Sequence, residues 1–285
     1  MKNNIYGVKS VLCDFLHHCI NIIMFKNGYS QKCSDFFVYY FLYTRIVFIF
    51  VVMYNNYYLI FIWRYYHMSI LQSYDYVLFD GAFGTYYSKK YHSEQPCELA
   101  CIEHPERVLE IHREYIEAGA MAIKTNTFAA NTISLKKDFS SVSEIITQAW
   151  KLANQATANK KVFVFADIGP IFTEDNSIDE LYKIADLFLS LGANYFLLET
   201  AQDDSVFHLA EYVKKKLPDA FVITSFAVDQ DGYTRKGIPI KKLVEQSKNR
   251  NIDAFGLNCM CGPSHLLQIV SKLSVSRPLS VMPNS

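Results

Sequence analysis

The chain has 285 residues, room for one large α/β domain or two smaller ones. Its 28 basic and 28 acidic residues cancel and the isoelectric point is near neutral, which argues against nucleic acid or a strongly acidic surface as a partner. Seven cysteines, odd in number and irregularly spaced in a chain too large to need disulfide staples, read as the reduced thiols of a cytoplasmic protein.

Residues 1–67 differ in texture from the rest. Of the 43 Phe, Tyr and Trp residues, 19 precede Met68. Phe36–Trp63 is almost wholly apolar, with Arg45 as its only charge, although Asn55 and Asn56 interrupt the run. On hydropathy this stretch is a transmembrane candidate, which would make the chain a membrane-anchored binding protein. The alternative is that residues 1–67 are not a functional part, because Met68 stands before a short lead and a first strand as an ordinary start does. A secretory signal does not fit, since the apolar stretch lies far from the N-terminus and no small-residue cleavage site follows it. The expected division is an apolar, aromatic-rich extension over 1–67 and a catalytic-type domain over 68–285.

From Tyr74 onward short apolar runs alternate with helical patterns. Strands are predicted at Val77–Phe79, Ala122–Lys124, Val162–Ala166, Tyr195–Glu199, Phe221–Ala227, Ala254–Leu257 and Leu279–Met282. Continuous apolar strands of this kind suit a parallel sheet covered on both faces. Helices are predicted at Pro105–Ala118, Ser141–Ala158, Ile178–Leu191, Asp203–Leu217, Ile240–Asn249 and Ser264–Leu273, with Gly119, Gly192 and Pro218 as stop signals. Seven strands at βα spacing favour a (β/α)8 TIM-type barrel that is one strand short over an open doubly wound sheet. No G-x-G-x-x-G follows the first strand, which weakens a dinucleotide-binding reading.

In such a barrel, chemistry collects at the C-terminal ends of the strands. Those ends read Asp80-Gly81-Ala82, Thr125-Asn126-Thr127, Asp167-Ile168-Gly169-Pro170, Glu199-Thr200, Asp229, Asn258-Cys259 and Pro283-Asn284. Asp80 and Glu199 suit an ammonium group, and the backbone N–H groups of Gly81 and Ala82 suit a carboxylate. Together they suit an amino acid. Cys97 and Cys101 read as structural, and His112, His208 and His265 as helix-packing or surface residues.

Asp80–Thr85 (DGAFGT), Glu103–Tyr115, Glu117–Ala120 (EAGA), Thr125–Phe128 (TNTF), Asp167–Pro170 (DIGP), Glu199-Thr200, Gly256–Cys259 (GLNC) and Met282–Asn284 occur in this order. The set resembles the homocysteine S-methyltransferase family, with a flavour similar to the N-terminal domain of bifunctional homocysteine methyltransferase/methylenetetrahydrofolate reductases. The resemblance implies zinc-dependent transfer of a methyl group to the thiolate of homocysteine, giving methionine. By motif matching it places a zinc ligand at Cys259 and substrate-binding residues at Asp80, Gly81, Ala82, Thr125, Glu199 and Asn258. The methyl donor stays open among S-methylmethionine, S-adenosylmethionine, betaine and a methylated folate. The family's other two zinc ligands, an adjacent Cys-Cys pair after an eighth strand, have no counterpart through Ser285, so an inactive truncated fragment is the alternative expectation.

Overall fold

The computed structural model describes residues 74–172 and 178–283, together with the backbone of four strands nearer the N-terminus. The chain divides into two units, Met1–Met68 and Ser69–Ser285. In the first, β1 (Ile20–Lys26), β2 (Phe37–Leu42), β3 (Val47–Tyr54) and β4 (Tyr57–Arg64) pair antiparallel in the order β1-β4-β3-β2. The described residues of the apolar stretch Phe36–Trp63 therefore fall on strands, the conformation aromatic and β-branched residues prefer. Among the described residues no helix is long and apolar enough to cross a membrane.

The second unit is a parallel half-barrel. Its strands are β5 (Ala122–Lys124), β6 (Phe163–Ile168), β7 (Tyr195–Ala201), β8 (Phe221–Ala227), β9 (Ala254–Asn258) and β10 (Leu279–Met282). They lie side by side in chain order, and every pair is parallel. Six strands stand where the sequence pattern predicts seven. The segment Val77–Phe79 makes a single bridge, Phe79 to Ala122, supported by Met121 and Ala122 N–H groups on the Leu78 carbonyl. Among the described residues it has a partner on one side only, and the chain turns at Asp80 toward a helix.

Around the sheet lie α1 (Phe83–Tyr91), α2 (Ala100–Glu103), α3 (Pro105–Glu117), α4 (Thr132–Leu135), α5 (Phe139–Ala156), α6 (Ile178–Ser190), α7 (Ser205–Lys216), α8 (Ile240–Ser247) and α9 (Pro263–Val270). Helices α2 and α4, four residues each, are too short for periodicity to reveal, and α1 is not among the predicted helices. Helix α5 starts two residues before its predicted position because Asp138 caps it, its carboxylate accepting the Ser141 N–H at 2.8 Å.

Side chains alternate across each strand, and this sorts the core. Ala122, Phe165, Leu197, Phe221, Ile223 and Ala254 form an inner cluster, with Phe79, Phe163 and Tyr195 packed against it. Their strand neighbours Phe196, Leu198, Val222, Phe226, Phe255 and Leu257 face the helices. One step further along the inner face, the same alternation places Lys124, Asp167, Glu199 and Ser225 at the C-terminal mouth, and two steps beyond Ala254, past Gly256, it places Asn258 there.

Arg277, ahead of β10, ties this sheet to α8. Its guanidinium donates to the carbonyls of Ile252 (2.5 Å), Ser247 (2.8 Å), Arg250 (3.3 Å) and Lys248 (3.4 Å). These lie at the helix C-terminus and the turn beyond it, where carbonyls lack helical donors and a cation is favoured. Arg277→Met is expected to lower stability by about 2–3 kcal/mol, a fall in Tm of roughly 4–12 °C by differential scanning calorimetry.

Candidate active site

Three carboxylates and one ammonium crowd the mouth of the half-barrel. Asp80, Asp167 and Glu199 are buried, and the Lys124 side chain is 12% exposed. Lys124 Nζ lies 3.7 Å from Glu199 Oε1. Asp80 Oδ2 accepts the Lys124 backbone N–H at 3.0 Å, which ties the turn after the first segment to β5. Asp80 Oδ1 is buried without a hydrogen-bond partner, and the Asp167 carboxyl hydrogen-bonds that of Glu199.

The charges act on one another through a dry environment. Burial pushes the Asp80 carboxyl up to about 7; the charge and backbone N–H of Lys124 oppose the shift, and Glu199 adds to it. Burial and the adjacent Glu199 push Asp167 well above the ordinary carboxylate range. Burial works against charge on Lys124, but Glu199, Asp80, Asp167 and Cys259 outweigh it and hold the ammonium above its ordinary range.

Asn258 organises the other side of the site. Fully buried, it accepts hydrogen bonds at Oδ1 from Ser225 Oγ (2.7 Å) and the Thr200 N–H (3.2 Å). Its Nδ2 faces Thr200 Oγ1 at 2.7 Å, Cys259 Sγ at 3.2 Å and Glu199 Oε1 at 3.3 Å. Two irregularities make this possible. The β7–β8 register shifts between Leu198 and Ala201, and Thr200 within that bulge has φ +61°, so Glu199 and Thr200 both reach Asn258. Gly256, facing Ser225, has no room for a side chain, since a Cβ there would meet Ser225 Oγ at 2.8 Å and its Cβ at 2.9 Å.

Cys259 follows β9 directly. It is half-buried, and both it and Met260 have φ +57°, a left-handed turn that non-glycine residues rarely adopt. Its backbone N–H donates to the Met282 carbonyl at 3.1 Å. Cys261 is buried, and burial raises its thiol pKa with a contribution from Asp229.

The structure thus brings together Asp80, Glu199, Asn258 and Cys259. Gly81 and Ala82 are exposed beside them at the start of α1, where Ala82 provides no capping side chain. Thr125 is nearby but engaged: its Oγ1 meets Thr127 Oγ1 at 2.7 Å and accepts the Asp167 N–H at 3.0 Å. With Thr127 Oγ1 donating to the Asp167 carbonyl at 2.7 Å, these threonines lock the TNTF and DIGP loops together. Gly169 is required there, because a Cβ would fall 2.2 Å from the Phe128 carbonyl oxygen. Cys97 and Cys101 bracket Asn126, the first donating to its Oδ1 at 3.0 Å and the second meeting its Nδ2 at 3.5 Å. Sequence reasoning passed over Lys124 and gave Asp167 no role. Both were within reach of the period-two rule, since each lies two residues beyond an inner-face apolar residue.

The geometry defines a βα half-barrel with a polar site at the strand ends, and the comparisons narrow the class. The family model for homocysteine S-methyltransferase matches residues 77–285. Methionine synthases of Mycobacterium tuberculosis and Mycobacterium leprae are 29% and 28% identical over 205 residues, which cover 64% of this chain and 17% of each relative. The chain therefore corresponds to under a fifth of those proteins. The metallated form of the Escherichia coli homocysteine methyltransferase MmuM superposes with a TM-score of 0.62 at 22% identity, covering 76% of this chain and 86% of that one. Its apo form gives 0.59 at 24% identity. The chain belongs to the homocysteine S-methyltransferase family.

The raised Asp80 pKa has a signed consequence. A carboxyl whose native value is about 7 against an ordinary 3.8 binds its proton more tightly when folded. Its contribution to stability is therefore present at low pH and lost as pH rises toward about 7. Relative to the wild type, Asp80→Asn is expected to gain stability across that window, in urea melts at about pH 4.5 and about pH 7.5.

Proposed function

We propose that residues 68–285 form a cytoplasmic homocysteine-binding domain whose reaction is methyl transfer to the homocysteine sulfur, giving methionine. The observation that supports it best is the buried ring of Asp80, Lys124, Asp167, Glu199 and Asn258 beside Cys259, on a fold shared with MmuM. The acidic side of the ring takes the substrate ammonium. The open start of α1 at Gly81 and Ala82, with Thr125 behind it, takes the carboxylate. Asn258 holds Glu199 and Cys259 in a fixed relation.

In the transfer, the homocysteine thiol loses its proton, a sulfur lone pair forms the new S–C bond, and the bond from the methyl carbon to the donor breaks. A free thiol has a pKa of about 8.5, so a site working at neutral pH must favour the thiolate. Lys124 contributes a buried positive charge close enough to interact with Cys259. The donor is an onium or methylated amine: S-methylmethionine, S-adenosylmethionine, betaine or a methylated folate.

Zinc is the family's expected activator, and Cys259 is the residue here suited to ligate it. A zinc site needs at least three protein ligands. Among the described residues no three His, Cys, Asp or Glu groups converge to hold a metal. They do not compose a zinc centre by themselves, and no step is assigned to one. The alternative reading is a domain that binds homocysteine without transferring a methyl group on its own.

Isothermal titration of the 285-residue chain with L-homocysteine, followed by methyl-transfer assays with each donor, separates these readings. Binding with turnover supports the enzyme, and binding without turnover supports the second reading. Absence of binding sinks both. Glu199→Gln is expected to weaken homocysteine binding about tenfold or more. Zinc uptake, measured by atomic absorption, is expected to be weak and abolished by Cys259→Ser.

A further inference from the structure

Two buried carboxyl groups meet across neighbouring strands. Asp167 lies near the end of the inner face of β6, in register with Leu197, and Glu199 follows two residues on along β7. The two residues are 3% and 8% exposed. Among the described residues Asp167 Oδ1 finds no amide, hydroxyl or ammonium donor. Its carboxyl instead hydrogen-bonds that of Glu199. Ionised carboxylates only accept, so this contact requires a proton between the two groups. Lys124 Nζ at 3.7 Å and Asn258 Nδ2 at 3.3 Å favour the negative charge on Glu199. Burial and the adjacent Glu199 favour the neutral form of Asp167, against the pull of Lys124. The proton therefore sits on Asp167, which donates to Glu199. The backbone of this donor is pinned on both sides, its N–H on Thr125 Oγ1 at 3.0 Å and its carbonyl on Thr127 Oγ1 at 2.7 Å.

We propose that Asp167 is a positioning residue, a neutral carboxylic acid whose O–H holds the Glu199 carboxylate in place for the ammonium group of homocysteine without touching the substrate itself. The inference rests on the proposed function, in which Glu199 takes that ammonium. Glu199 is then gripped from three strands, by Asp167 on β6, Lys124 on β5 and Asn258 on β9. A long side chain fixed before the ligand arrives loses less freedom on binding. The proton on Asp167 also removes a repulsion, since a second ionised carboxylate there would push Glu199 away.

Titration calorimetry on the full chain tests this with two ligands. L-Homocysteine and 4-sulfanylbutanoate share the thiol and the carboxylate, and only the first has an amine. Asp167→Ala is expected to weaken homocysteine about tenfold and 4-sulfanylbutanoate by less than about twofold. Asp167→Asn keeps an N–H donor beside Glu199 and is expected to bind homocysteine within about threefold of the wild type. Because Asp167 acts through Glu199, Asp167→Ala is expected to cost nothing further once Glu199→Gln is in place. Equal losses for the two ligands, Asp167→Asn as weak as Asp167→Ala, or additive losses in the double variant each overturn the proposal. Where Asp167→Ala fails to fold, Asp167→Leu fills the space without a donor and carries the same readings. If the wild type does not favour homocysteine over 4-sulfanylbutanoate, the amine-binding reading falls together with this inference. If it does, and Asp167→Ala keeps the full preference, this inference alone falls.

Discussion

Successive side chains of a β-strand point to opposite faces, and in this chain that constraint builds both the core and the site. On the inner face, Ala122, Phe165, Leu197 and Ile223 make the apolar floor. Two residues on, the same face carries Lys124, Asp167, Glu199 and Ser225. The polar layer sits on an apolar one, so its charges have protein beneath them and water on one side at most. Burial of Asp80, Asp167 and Glu199 follows, and the raised Asp80 and Asp167 pKa values follow from burial.

Charge in such a layer is expensive unless paired. Lys124 is the internal answer, and its interactions reach three strands and the Asp80 turn. It leaves the ring acidic, with Asp80 Oδ1 unpartnered. The folding energy of the half-barrel holds these acids together in a dry layer, where water cannot screen them from one another. The bulge at Thr200 and the left-handed turn at Cys259 are local costs of the same kind, borne next to the chemistry.

The scaffold around the site is secured away from it. Arg277 caps the end of α8, and Lys214 pairs with Asp253 at 2.6 Å, where Asp253 also accepts the Val222 N–H at the start of β8. These lie at the opposite end of the strands from Glu199 and Asn258. Scaffold contacts at one end and a polar site at the other is the division expected of a βα barrel.

The alternation of apolar strands and helices, and the acids and the Asn-Cys pair at the strand ends, were legible in the sequence because they depend only on periodicity and local order. Asp80 and Glu199 could be paired for that reason, whereas Asn258 and Cys259 joined them through the resemblance that the GLNC motif carries. The first segment could not be told from a strand, because Val77–Phe79 is apolar whether or not a ladder forms, and only its one-sided pairing with β5 decides that it makes a single bridge. Periodicity placed Lys124 on the inner face, but not its distance to Glu199. Which carboxylate oxygens are spent and which are left over depends on contacts such as Asp80 with the Lys124 N–H, 44 residues apart, and Asn258 with Glu199, 59 apart. Such pairings are set by sheet register and by the bulge at Thr200, properties that exist only once the strands are side by side.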